Sequence, residues 1–253
     1  MGNGLGLRVG QTSPLRNLSA NFSEEQIVIL DGIRFSADMA GLALDYLWSV
    51  LQRIDQSFVQ ESHPSDIAEA ALFAWSIVDA GHRFQQLMNG LPGLKQRTWM
   101  KDFRDRVRDI EVFRHAWQHQ RTEAKRAVER RDQAFGAIGW AQHMDGKPTG
   151  RWYCAVAGSD LKGSSWTFTG PVAAPSRVGN RRIRILHLGG RELYLGRLVR
   201  DIFWAVQMLE EELSQGRVRL IGQPVGRKRT QDNVFEASIA MIVDVREPAF
   251  RSD

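Results

Sequence analysis

The chain has 253 residues, 43% of them apolar, enough for one large domain or a domain with a smaller one appended, which excludes disorder as the main state. Lys and Arg total 34 against 29 Asp and Glu, and the resulting +5 is a basic balance that favours polyanionic partners. One cysteine, Cys154, excludes an intrachain disulfide and a cysteine-built zinc cage, and fits a reducing compartment.

Asp38 and Asp45 interrupt the apolar stretch over 33–51, so no window reaches the ~20 apolar residues of a membrane helix. The reading is of no membrane contact. The start, MGNGLGLRVG, lacks a secretory pattern, and Gly6 stands where a myristoylation motif requires Ser or Thr. A cytoplasmic protein without lipid anchor is the expectation.

Residues 1–21, rich in Gly, Ser and Asn, read as a flexible arm. A capping box, Ser23 with Gln26, then opens a helical stretch in which Leu30, Ile33, Leu42, Leu47, Leu51, Ile54 and Phe58 recur. It is one long helix, or two broken near Asp31-Gly32. Pro64-Ser65-Asp66 starts a second helix with Ile67, Ala70, Ala71, Ala74, Ile77, Val78 and Leu87 on its apolar face, stopped at Asn89-Gly90. A third runs from about Trp99 to Phe135 without Gly or Pro, Val107, Ile110, Phe113 and Trp117 sharing one face.

Beyond Gly136 short alternating runs (Trp152 to Val156, Ser165 to Phe168, Arg182 to His187, Glu192 to Leu195) predict a small antiparallel sheet over 136–196, with a hairpin turn at Gly189-Gly190. A further helix over 197–215 returns to the bundle, and 216–253 form a basic tail with a strand-like run from Ala237 to Val245. The fold class is α+β: a helical bundle over 22–135, with a small antiparallel sheet inserted before a last bundle helix.

On the third helix the chemistry concentrates. At about 100° per residue, with Arg108 at zero, Glu111 falls near 300°, His115 near 340° and His119 near 20°, a single polar stripe opposite Phe113 and Trp117. Imidazoles beside a guanidinium can move protons near neutral pH and hold a phosphate, as metal-free RNA cleavage requires. His115 and His119 also have zinc-ligand spacing, but Ala116 occupies the place of the Glu in HExxH, and no GxxxxGK loop is present. No metal and no cofactor are expected.

The string Arg114-His115-Ala116-Trp117-Gln118-His119 resembles the R-x4-6-H signature of HEPN (higher eukaryotes and prokaryotes nucleotide-binding) helical domains. Upstream, WSIVDAGHRFQQLMNGLPGL, with Asp79, His82 and Arg83, is similar to helical segments of HEPN-like bacterial proteins. The resemblance covers about residues 25–135. It implies a metal-independent endoribonuclease or RNA-binding protein of a toxin or defence system, a homodimer whose site forms where two protomers meet. Arg114 would bind the scissile phosphate, His119 would act as acid or base, and His115 would fill a polar position more commonly Asn or Asp.

Arg114, near 240° on the same wheel, stands about 140° from His119. A site built by two chains, or the long reach of Arg114, resolves the separation; the alternatives are Arg108 with His115 as a second pair, and Arg114 as a buried structural arginine paired with Asp79. Asp79, His82 and Glu111 are supporting residues in either case. Arg181, Arg182, Arg184 and Arg191 head a basic stretch able to follow a phosphate backbone. Cys154, between Tyr153 and Ala155, reads as a small buried hydrophobe. The competing function is a non-enzymatic interaction or scaffold module whose polar stripe only meets solvent.

Overall fold

The computed structural model describes residues 6–19, 22–57, 64–130, 136–143, 150–156, 183–187 and 191–218. Among them are helices α1 (Glu24–Ser57), α2 (Pro64–Gly90), α3 (Thr98–Val107), α4 (Ile110–Gln118), α5 (Gln120–Arg130) and α6 (Leu195–Ser214). The strands are β1 (Ala137–His143), β2 (Gly150–Val156), β3 (Arg184–His187) and β4 (Arg191–Tyr194). The α+β class is that of the sequence pattern, with β4 running directly into α6. No described helix is long and apolar enough to cross a membrane.

The capping box forms reciprocally: the Gln26 amide N–H donates to Ser23 Oγ, and the Ser23 N–H donates to Gln26 Oε1, both at 3.2 Å. From it α1 continues as one helix, unbroken at Asp31-Gly32. Gly32 has a packing role, since a Cβ there would lie 2.8 Å from Leu87 Cδ1, so its absence lets α2 settle against α1. The α1–α2 hairpin, with α6 packed on both helices, forms the core around Leu44, Leu47, Leu51, Ala74, Ile77 and Phe84.

The third predicted helix is three. α3 buries Trp99, Met100, Phe103 and Val107 and packs on α6; α4 buries Ile110, Phe113 and Ala116 and packs on α2. Two partners at different angles cannot be served by one straight rod. The turn at Arg108-Asp109 keeps αR backbone angles, so it needs no Gly or Pro and leaves no mark in composition. Two buried carboxylates on α6 fasten α3: Asp201 pairs with Arg106 at 3.2 Å, and Glu212 with Arg97 at 3.0 Å.

The sheet is antiparallel throughout, in the order β2-β1-β3-β4. Trp140 stands opposite Tyr153 in the β1–β2 ladder and stacks on it at 5.4 Å between ring centroids. β2, β3 and β4 match the runs at Trp152, Arg182 and Glu192, whereas β1 carried no prediction. The run at Ser165, the Gly189-Gly190 turn and the strand-like run in the tail lie outside the described residues.

Residues 6–19, read as part of a flexible arm, lie against the bundle. Val9 and Leu15 are buried. The Val9 N–H donates to Asp38 Oδ1 at 2.8 Å, Arg16 pairs with Asp38 Oδ2 at 3.2 Å, and Ser13 Oγ donates to Glu210 on α6. The segment crosses α1 over Gly41, where any Cβ would collide with the Leu7 carbonyl oxygen. Gly41→Val is therefore expected to lift this segment and cost about 1–3 kcal/mol. Denaturant unfolding measures the loss, and amide exchange at Val9 should accelerate in the variant; unchanged protection at Val9 contradicts the docking.

Candidate functional site

α2 and α4 meet edge to edge, and their polar residues meet with them. Trp117 of α4 stacks on Trp75 of α2, ring centroids 4.6 Å apart and planes within 13°. With Ile110 and Phe113 buried on the same side, that stack fixes the rotation of α4. Glu111 and His115 are thereby left facing solvent, and Arg114 is turned toward α2.

Asp79 is the centre of the polar cluster. Its Oδ2 takes Arg83, one turn later on α2, at 2.7 Å, and its Oδ1 accepts from Arg114 Nε at 3.4 Å. Arg114 and Asp79 are each about 30% exposed, so solvent screens the pair and its strength is modest. Only Nε of Arg114 is engaged; among the described residues no other partner holds the terminal nitrogens.

His82 lies behind this pair, buried on α2. Burial lowers its pKa below the ordinary 6.5, the Arg114 charge lowers it further, and Glu111 and Asp79 oppose both effects. Gln86 Nε2 stands 3.4 Å from His82 Nε2, so a neutral imidazole accepts from that amide. His82 is thus a neutral filler among charges, not a surface acid or base.

His115 and His119 form a second group at the end of α4. Both are exposed, with ring centroids 4.3 Å apart and planes at 43°. His119 caps the helix, its N–H donating to the His115 carbonyl at 3.0 Å. Arg108 is exposed on the α3–α4 turn, with no ion pair among the described residues.

The sequence candidates therefore divide. Asp79, His82, Glu111 and Arg114 come together; His115 and His119 come together; within one chain no hydrogen bond or ion pair among the described residues joins the two groups. The Arg114–Asp79 pairing is observed, with Arg114 partly exposed rather than buried as expected. Reading missed Trp75, whose stack orients α4, and Gln86, although its i+4 spacing from His82 was visible.

The basic stretch is not one surface. Arg184, expected on a phosphate-tracking face, is 1% exposed, paired with Glu192 at 2.6 Å and set over the Trp152 ring at 5.0 Å. Ile183 and Ile185 on either side of it are buried too, so this strand is packed on both faces and the guanidinium serves the sheet. Arg191 is exposed, Arg197 reaches Asp201 at 3.6 Å, and Arg181 and Arg182 lie outside the described residues. Cys154, expected to be buried, is partly so; burial pushes its thiol up and the Arg184 charge pulls it down. Among the described residues no group of three or more His, Cys, Asp or Glu side chains has the arrangement of a metal site. No family model, no curated protein and no solved structure matches the chain.

A pH dependence follows from His82. Above the ordinary pKa of 6.5 the imidazole is neutral whether the chain is folded or unfolded, and it contributes nothing to the pH slope. Below that value the unfolded chain takes up a proton the folded chain resists, so stability declines until pH reaches the depressed folded pKa. His82→Gln should flatten the acid-side decline in denaturant midpoints. An equal decline in both proteins, or an NMR titration of His82 above 6.5, contradicts this environment.

Proposed function

We propose that the chain is a HEPN-like RNA-binding protein of a toxin or defence system, in which the α4 stripe carries metal-independent endoribonuclease chemistry. The observation that carries the reading is the exposed His115–His119 pair at the end of α4, with Arg114 the residue before it. Two imidazoles in ring contact and open to solvent suit proton transfer to and from a ribose hydroxyl and a leaving oxygen. Arg114 keeps its terminal nitrogens for a phosphate while Asp79 holds Nε. Arg108, exposed on the neighbouring turn, supplies the second cation of this reading.

A second reading has its own observation. The Arg114–Asp79–Arg83 bridge ties α4 to α2 as a structural latch would, which favours a non-enzymatic interaction module.

Incubation with single-stranded RNA in excess EDTA separates the two. The nuclease reading expects cleavage, and a loss of about 100-fold or more in His119→Ala with helix content unchanged. Cleavage that His119→Ala does not diminish, or neither cleavage nor RNA binding by fluorescence anisotropy, overturns it. RNA binding without turnover leaves the RNA-binding part of the reading and removes the enzyme.

A further inference from the structure

Between its polar ends, α1 leaves an apolar line exposed. Between Gln26 and Ser49 its exposed residues are Val28, Phe35, Met39, Leu42 and Tyr46. Val28, Phe35 and Leu42 are seven apart, and so are Met39 and Tyr46, the repeat of a coiled-coil seam about 27 Å long. A helix needing only to meet water would carry charge along this line.

Two aromatics of the seam are held in place. The Arg34 guanidinium, itself buried, lies 4.0 Å from the centroid of Phe35, and Tyr46 stacks on Phe73 of α2 at 5.3 Å and 17°. Rings fixed beforehand lose little rotamer freedom when a partner arrives. Leu72, the residue before Phe73 on α2, is 61% exposed. These six side chains expose roughly 600 Å², the upper end for the largest apolar patch of a monomer.

From these observations we infer that the α1 seam is the interface with a second copy of this chain, the two α1 helices running antiparallel about a two-fold axis near Ala37. Two such strips bury on the order of 1,200 Å², the lower end of a standard specific interface. The seam is symmetric about that point. Antiparallel pairing sets Tyr46 opposite Val28, large against small, and Phe35 opposite Met39. Parallel pairing would stack Phe35 on Phe35 and bring together Glu24 and Glu25 and the positive helix ends of both copies.

Charge along the rim agrees. Asp31, Asp38 and Asp45, also seven apart, border the seam, and each meets an arginine of its own chain: Arg34 at 3.9 Å, Arg16 at 3.2 Å and Arg8 at 3.2 Å. A row of acids that would repel its twofold copy is neutralised before the copies meet. The inference rests on α1 alone and stands whether or not RNA is a ligand.

The test uses the full chain carrying Cys154→Ser. Sedimentation at micromolar concentration should show a dimer, and the double variant M39E/L42E should have half that mass with the same helix content. Under oxidation, a V28C chain mixed with a Y46C chain should cross-link, while each alone should not. A wild-type monomer at every concentration, which would give the seam to another occupant, overturns the proposal. So does a dimer that survives M39E/L42E, or a V28C chain that cross-links to itself. The cross-link introduces no buried charge, so it decides the matter even where M39E/L42E fails to fold.

Discussion

The absence of a side chain at Gly81 governs where the bundle's helices meet. A Cβ there would stand 2.6 Å from Ile110 Cδ1 of α4, 3.3 Å from Ile202 and 3.4 Å from Leu198, both of α6. Gly81 is therefore the shared floor on which α4 and α6 rest against α2. Its immediate neighbour is His82, and Asp79 lies two residues before it. The same close approach that builds the core carries Arg114 to its carboxylate and encloses the His82 imidazole.

Charge is handled in a consistent way. The chain is basic overall, yet among the described residues many arginines are spent internally on acids: Arg16 on Asp38, Arg106 on Asp201, Arg97 and Arg217 on Glu212, Arg184 on Glu192. Two of these carboxylates, Asp201 and Glu212, are buried, and a buried acid without its cation costs several kcal/mol. The planar guanidinium suits this work because it keeps its charge and donates from several directions. The count of arginines therefore overstates the basic surface, although the excess of cations over acids is untouched by these pairs.

The sequence was legible where the determinants are local. Ser23 and Gln26 announce the start of α1, Pro64 and Asn89-Gly90 bound α2, and alternation reveals β2, β3 and β4, because caps, breakers and period-two patterns act within a few residues. It was silent where the cause is a distant partner. The bend at Arg108-Asp109 arises because α3 answers to α6 and α4 to α2. The docking of residues 6–19 depends on Asp38 and Glu210, and the burial of Arg184 depends on Glu192 and Trp152. None of these couplings has a period to read. At the candidate site the pairing of Arg114 with Asp79 was one of the options foreseen, and the rotation of α4 that selects it follows from Trp75 on another helix.

That rotation also shapes any chemistry the face performs. An anion at the terminal nitrogens of Arg114 would share the guanidinium with Asp79 at Nε, and because both groups are partly exposed that balance is sensitive to ionic strength. The histidines, by contrast, stand outside the bridge and are held by the helix end alone. A phosphate that drew Arg114 away from Asp79 would leave Arg83 as the remaining cation on that acid, and His82 would lose the neighbour whose charge helps keep it neutral. The Arg114 charge bears on His82 directly and the Asp79 carboxylate opposes it, so any change at this latch would alter the imidazole's protonation.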